Sequence, residues 1–139
     1  PYIAYTAAQY EEAAANNYIS KSEKKIQGAS NFSVQDYAGT IDFTYDKATE
    51  WYKGLLKRLL DMGVVCIKTD FGEDIHLDAE YHSMKPDKLH NLYPLLYQKA
   101  AYEITKEVTG DGIIWARPAW TGCQRYPLHW GGDSACSWD

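Results

Sequence analysis

Glycine-rich turns, basic clusters and long apolar runs are what this sequence lacks, and each gap closes a class of function. No glycine-rich phosphate turn follows a strand-like run, which removes the usual nucleotide-binding sheets. Acidic residues outnumber basic ones, 19 to 14, for a formal net charge of −5. The densest basic group, Lys21, Lys24 and Lys25, is broken by Glu23, so no face for nucleic acid is expected. No apolar stretch approaches the length of a membrane span, and no basic-then-apolar leader opens the chain at Pro1. No membrane contact is expected. Cysteine is also scarce. Cys66, Cys123 and Cys136 fit neither a Cys-x-x-Cys nor a zinc spacing, so free thiols in a reducing, cytoplasmic setting are expected.

What is present suits one α/β domain. The 139 residues are 45% hydrophobic, enough for a core. Five Trp and 12 Tyr can line a sugar site as well as fill that core. Residues 1–5 look like the end of a strand, and a short helix is expected over Ala8–Asn16. Residues 17–40 read as loop with one short hairpin, followed by an extended piece at Ile41–Thr44. The spacing of Ala48, Trp51, Leu55, Leu59 and Met62 predicts a helix over Asp46–Met62, with Asp46 as its cap and Gly63 at its end. The unalternating run Val64–Ile67 then reads as a strand buried on both faces. A second helix is expected over Pro86–Val108, with Leu89, Leu92, Tyr93, Leu96 and Ala100 inward. Pro94 should kink or restart it, and Gly110 and Gly112 should end it. Ile113–Ala116 reads as a second buried strand, and a third runs into His129–Gly132.

Helix, strand, helix, strand is the α/β signature, each strand able to lie parallel to the last. An open doubly wound sheet and a (β/α)8 barrel both fit. Reactive residues follow each strand at once: Lys68 and Asp70, then Arg117, then Asp133. Barrels place their catalytic groups at those C-terminal strand ends, which favours the barrel. A complete barrel takes about 250 residues, so this chain is expected to supply about four of the eight units.

Three constellations carry candidate chemistry. Asp70, in Lys68-Thr69-Asp70-Phe71-Gly72-Glu73, is either a reactive carboxylate or a loop-capping one. In His129-Trp130-Gly131-Gly132-Asp133-Ser134, paired glycines let the backbone pass close to a ligand, or simply make a turn over a core Trp130. Arg117 ends a buried strand, which is expensive unless it meets a carboxylate or polar ligand; Asp70 is the expected partner. Two carboxylates on nearby strand ends are what glycoside hydrolysis requires, about 5–5.5 Å apart in the retaining mechanism. Three weaker signals are set aside. Asp70-Phe71-Gly72 looks like the magnesium-binding turn of kinases, but no His-Arg-Asp loop precedes it. His76, Asp78, Glu80 and His82 match no metal-ligand spacing and read as a solvated loop, and His90 reads as a surface or satisfied histidine.

Taken together, the Lys68–Glu73 run, Ala116-Arg117 and His129–Asp133 resemble the conserved blocks of glycoside hydrolase family 31, in order. The likeness is to its bacterial α-xylosidase and α-glucosidase branch. Pro1-Tyr2-Ile3 resembles the end of the family's third barrel strand, and Leu89–Tyr93 the helix after strand four. The resemblance implies that residues 1–139 are part of a catalytic (β/α)8 barrel, about strands three to six, within a larger multidomain enzyme. It implies a retaining α-glycosidase acting on terminal non-reducing α-linked glucose or xylose, with Asp70 as nucleophile and Asp133 as general acid/base. Lys68, Phe71, Arg117 and Trp130 are implied to line the adjacent sugar subsite, and the loop matching Ser30–Gly39, here with Phe32 and Tyr37, to influence which sugar fits. No metal or organic cofactor is implied. The partner is an oligosaccharide or glycoside, and self-association is left open. A transglycosylase using the same two carboxylates, or a non-catalytic carbohydrate-binding fragment, stands as the alternative.

Overall fold

The structure is a computed structural model that describes residues 1–4, 6–20 and 37–137. Lys21, Lys24 and Lys25, and the Ser30–Gly39 loop as far as residue 36, lie outside the described residues. The elements are β1 (Tyr2–Ala4), α1 (Tyr10–Ala15), β2 (Ile19–Ser20), β3 (Tyr37–Ile41), α2 (Asp46–Asp61), β4 (Ile67–Thr69), α3 (Pro86–Thr109) and β5 (Ile114–Ala116). A single 3-10 turn follows at Cys123–Arg125.

Two sheets form. In the first, β3 lies between β1 and β2 and is antiparallel to both. The expected hairpin is the β2–β3 pair. The all-parallel arrangement anticipated from the strand–helix alternation does not extend to β1. The extended piece expected at Ile41–Thr44 is also corrected. β3 stops at Ile41 because Asp42 folds back on the chain, its Oδ1 accepting from Thr44 N at 2.9 Å and from Thr44 Oγ1 at 2.6 Å.

The second sheet pairs β4 with β5 in parallel, in register Ile67↔Ile114, Lys68↔Trp115 and Thr69↔Ala116. Helix α3 makes the crossover that parallel strands need. The third strand expected at His129–Gly132 reduces to one parallel bridge between Ala116 and His129. Around it Ala116 N donates to Leu128 O at 2.9 Å and Trp130 N to Ala116 O at 3.0 Å.

Neither parallel strand is buried on both faces. Ile67, Thr69, Ile114 and Ala116 are buried, while Lys68 and Trp115 between them are exposed. The reason is that α2 and α3 cover only one face of this sheet. Val64 and Val65, read as strand, are exposed residues on the approach from Gly63.

The helices also shift from their expected stripes. In α2 the buried row is Ala48, Leu56 and Leu60, at spacings of eight and four, while Leu59 and Met62 are exposed. Asp46 lies in its first turn rather than at the cap, which is Tyr45. Helix α3 runs through Pro94 without restarting. Pro94 has no N–H to give, but it is buried in a helix whose apolar packing on both cores outweighs one missing bond. Leu92 and Leu96 are only partly buried; Tyr97, Gln98, Ala101, Ile104 and Thr105 complete the buried face. Gly110 ends the helix in the left-handed region, at φ 84°.

Leu89, Tyr93, Tyr97 and Ala100 of α3 pack with Ile19, Ile41 and Phe43 beside the antiparallel sheet. Farther along, Ala101 and Ile104 pack with Leu56, Leu60, Ile67 and Ile114 under the parallel pair. Leu89 is fully buried, so Leu89→Ala is expected to cost about 2–5 kcal/mol in denaturant unfolding; a loss below about 1 kcal/mol would contradict this packing.

Burial raises the Tyr93 and Tyr97 phenols well above their ordinary value of 10.0. A group that holds its proton more tightly when folded adds stability that is fully present below its unfolded pKa and is lost above it. Unfolding free energy is therefore expected to be insensitive to these phenols below pH 10 and to fall as pH rises past it. Denaturant titrations from pH 8 upward check this, and Tyr93→Phe should flatten the slope.

Candidate active site

The parallel register builds the site. Because Thr69 and Ala116 pair, the next residue on each strand emerges at the same sheet edge: Asp70 from β4 and Arg117 from β5. The strand ends are locked together where Arg117 N donates to Thr69 O at 3.0 Å. The run at Trp130, bridged to Ala116, brings the Gly131-Gly132-Asp133 turn to the same edge. Gly132 takes φ 90°, a backbone conformation that L side chains rarely adopt.

Arg117 is the hub. Its Nη1 lies 2.9 Å from Asp70 Oδ1 and 3.8 Å from Asp133 Oδ2. Its other edge is held by Glu73, with Nε donating to Oε1 at 2.8 Å and Nη2 to Oε2 at 3.1 Å. That fork grips the guanidinium at two points and leaves Nη1 for the other two carboxylates. The Glu73 hydrogen bonds, joined by the charges of Glu73, Asp70 and Asp133, raise the already high Arg117 pKa, so the hub stays cationic. The ring of Phe71 completes its surroundings, 4.4 Å from the guanidinium carbon.

Asp70 is ringed by donors. Its Oδ1 accepts from Phe71 N at 3.0 Å, and Lys68 Nζ lies 3.5 Å from its Oδ2. Phe71 holds the left-handed region at φ 59°, an uncommon state for a bulky residue that tends to mark functional turns. Gly72 follows at φ 102°, and a Cβ there would sit 3.2 Å from the Tyr97 ring. Both the backbone angle and the close ring favour glycine there. Asp133 is quite different. Its side chain is 82% exposed against 31% for Asp70, so the two carboxylates occupy unlike environments.

Lys68 projects from the uncovered sheet face. Its Nζ lies 4.6 Å from the centre of the Trp130 ring and 5.7 Å from that of Trp115. Trp130 Nε1 is buried with no hydrogen-bond partner among the described residues.

All six residues predicted from sequence thus converge, and the anticipated Arg117–Asp70 pair forms. Glu73 was missed, although it closes the motif containing Asp70 and makes the firmest contact with Arg117. Trp115 was missed because a buried strand was expected, whereas alternation places it beside Lys68. The weaker candidates fall elsewhere. His76 Nδ1 lies 3.8 Å from Asp78 Oδ1. Its imidazole is mostly buried rather than solvated, which lowers its pKa despite Asp78. His82 stacks on Tyr45, with ring centres 4.2 Å apart, and His90 meets Asn91. No group of three or more His, Cys, Asp or Glu among the described residues could hold a metal ion. Cys66 and Cys136 are exposed free thiols, and Cys123 is a buried one.

Parallel strands joined by a helix, with charged groups gathered at their C-terminal ends, are the layout of the catalytic edge of an α/β barrel. The chain belongs to glycosyl hydrolases family 31: the model of that family's TIM-barrel domain matches residues 1–139. It is 42% identical over 103 residues to an alpha-xylosidase of Emericella nidulans, covering 71% of this chain and 13% of that protein. It is 30% identical over 143 residues to a sulfoquinovosidase of Escherichia coli, covering 99% of this chain and 21% of that one. Among solved structures, a family 31 sulfoquinovosidase from E. rectale, bound to an aza-sugar inhibitor, superposes with TM-score 0.80 at 31% identity. That match covers 96% of this chain and 21% of the other. The chain therefore spans about a fifth or less of the length of these relatives.

Proposed function

We propose that this chain carries the catalytic pair of a retaining α-glycosidase, with Asp70 as nucleophile and Asp133 as general acid/base. One observation supports it above the rest: a single arginine nitrogen, Nη1 of Arg117, lies within 3.8 Å of both carboxylates. Asp70 is fixed and partly enclosed, as suits attack on the anomeric carbon. Exposed Asp133 can protonate the departing oxygen and then take a proton from the incoming water. The first displacement forms an ester between Asp70 and the sugar; water breaks that ester in the second, with net retention. Lys68, Phe71 and Trp130 form one wall of the sugar subsite, and the Trp rings offer faces for stacking.

The chain supplies about strands three to six of an eight-stranded barrel within a longer multidomain enzyme. The substrate is an oligosaccharide or glycoside with a terminal α-linked xylose or glucose. The alpha-xylosidase relatives weigh the choice toward xylose.

The test uses Asp133→Ala in the full protein carrying this chain. With an alkyl α-xyloside, whose leaving group needs protonation, kcat/KM should fall about 10²–10⁴-fold. A nitrophenyl α-xyloside should lose far less in its first step, and added azide should restore turnover with a retained α-xylosyl azide as product. Loss without azide rescue, or full activity on the alkyl xyloside, would remove Asp133 from the acid/base role.

A further inference from the structure

Gln98 is a polar residue in the middle of the buried face of α3, with 0% of its surface exposed. An amide there carries a desolvation penalty unless its bonds are made, and both kinds are. Its Oε1 accepts from Thr69 Oγ1 at 2.6 Å, and its Nε2 donates to Pro118 O at 3.3 Å. The two partners are the immediate neighbours of the reactive groups: Thr69 precedes Asp70, and Pro118 follows Arg117. Thr69 is itself fully buried, and its carbonyl receives Arg117 N. One side chain on the helix behind the sheet therefore spans the ends of both strands at the point where the sheet ladder stops.

We infer that Gln98 is a positioning residue, which sets the spacing of Asp70 and Arg117 by bridging Thr69 and Pro118; this rests on the glycosidase reading above. Only a group with an acceptor and a donor on one rigid plane makes both bonds. Methionine fills nearly the same volume and makes neither. Asparagine keeps the amide but is one methylene shorter, so it reaches one partner at a time. Glutamate keeps the acceptor for Thr69 and regains a donor toward Pro118 O only when protonated, which burial favours.

The test compares wild type, Gln98→Met and Gln98→Glu in the full protein, at a temperature where circular dichroism shows all three folded, with rates normalised to active sites. Gln98→Met is expected to lower kcat on nitrophenyl α-xyloside about 10²-fold, the scale of a small misplacement of reacting groups, with KM within about twofold. The ratio of Gln98→Glu to wild-type kcat should climb as pH falls, while that of Gln98→Met stays flat. A purely structural glutamine would lower the melting temperature and leave both ratios near one at every pH. That result, with wild type active, overturns the inference alone. An inactive wild type overturns the glycosidase reading and this inference together. Should Gln98→Met not fold, the pH course of Gln98→Glu decides, carried upward until the infrared band of the introduced carboxyl shows that it has ionised: a ratio that drops with ionisation supports positioning, and a ratio that stays near one after ionisation contradicts it.

Discussion

Asp70→Ala, made in the full protein carrying this chain, is expected to lower turnover of a nitrophenyl α-xyloside by about 10⁴-fold or more. Among the described residues at this edge no other group is placed to take over the attack: Lys68 and Arg117 are cations, Glu73 is engaged along its whole carboxylate edge by Arg117, and Asp133 is the proposed source of the proton. The loss should lie in kcat, and the fold should survive, because Asp70 is partly exposed and its contacts are local: Phe71 N, Lys68 and one edge of Arg117. Steady-state rates alongside a melting curve check both points. A variant that keeps more than a tenth of wild-type turnover would exclude Asp70 as nucleophile.

Arg117 gives the second large effect. Three carboxylates, Asp70, Glu73 and Asp133, contact this one guanidinium. Arg117→Met leaves them facing one another with only Lys68, 3.5 Å from Asp70, as counter-charge, and kcat/KM is expected to fall about 10²–10³-fold, as when a preorganised charge partner is lost. Arg117→Lys should recover little of it. The fork to Glu73 needs Nε and Nη2 while Nη1 faces Asp70 and Asp133, and one ammonium cannot hold both geometries. Glu73→Gln isolates the fork: it should weaken activity less than Arg117→Met because the charge on Arg117 remains. Recovery by lysine to near the wild-type rate would show that charge alone matters there.

Why the site was legible in sequence while parts of the fold were not has a physical basis. Asp70, Arg117 and Asp133 each directly follow a strand-like run, and parallel pairing in register carries the three to one edge. Residue pattern thus brought out these three as candidates, and the family resemblance supplied the roles expected of them. Glu73 escaped because its partner is 44 residues away in sequence, and nothing local announces a fork between them. Burial was misjudged for a related reason. Val64 and Val65 have strand character, but periodicity cannot tell which face a neighbouring helix will cover. In α2 two apolar rows compete, and contact with α3 and the sheet selects Ala48, Leu56 and Leu60 over Leu59 and Met62. Pro94 did not break α3, because the packing of a 24-residue helix against two cores absorbs one lost hydrogen bond. Gln98 gave no sequence signal at all; a glutamine among alternating apolar and charged helical residues looks like surface until the fold buries it.

The most direct measurement of the central claim is covalent trapping. The full protein would be incubated with a ring-fluorinated α-xylosyl fluoride, whose electron-poor ring slows both displacements while its fluoride leaving group keeps the first fast enough for the ester to accumulate, then digested and mapped by mass spectrometry. The account predicts time-dependent inactivation and a single added fluoroxylosyl unit on the peptide containing Asp70, absent in Asp70→Ala. A label on Asp133 or Glu73, or turnover of α-xylosides with inversion at the anomeric carbon, would contradict it.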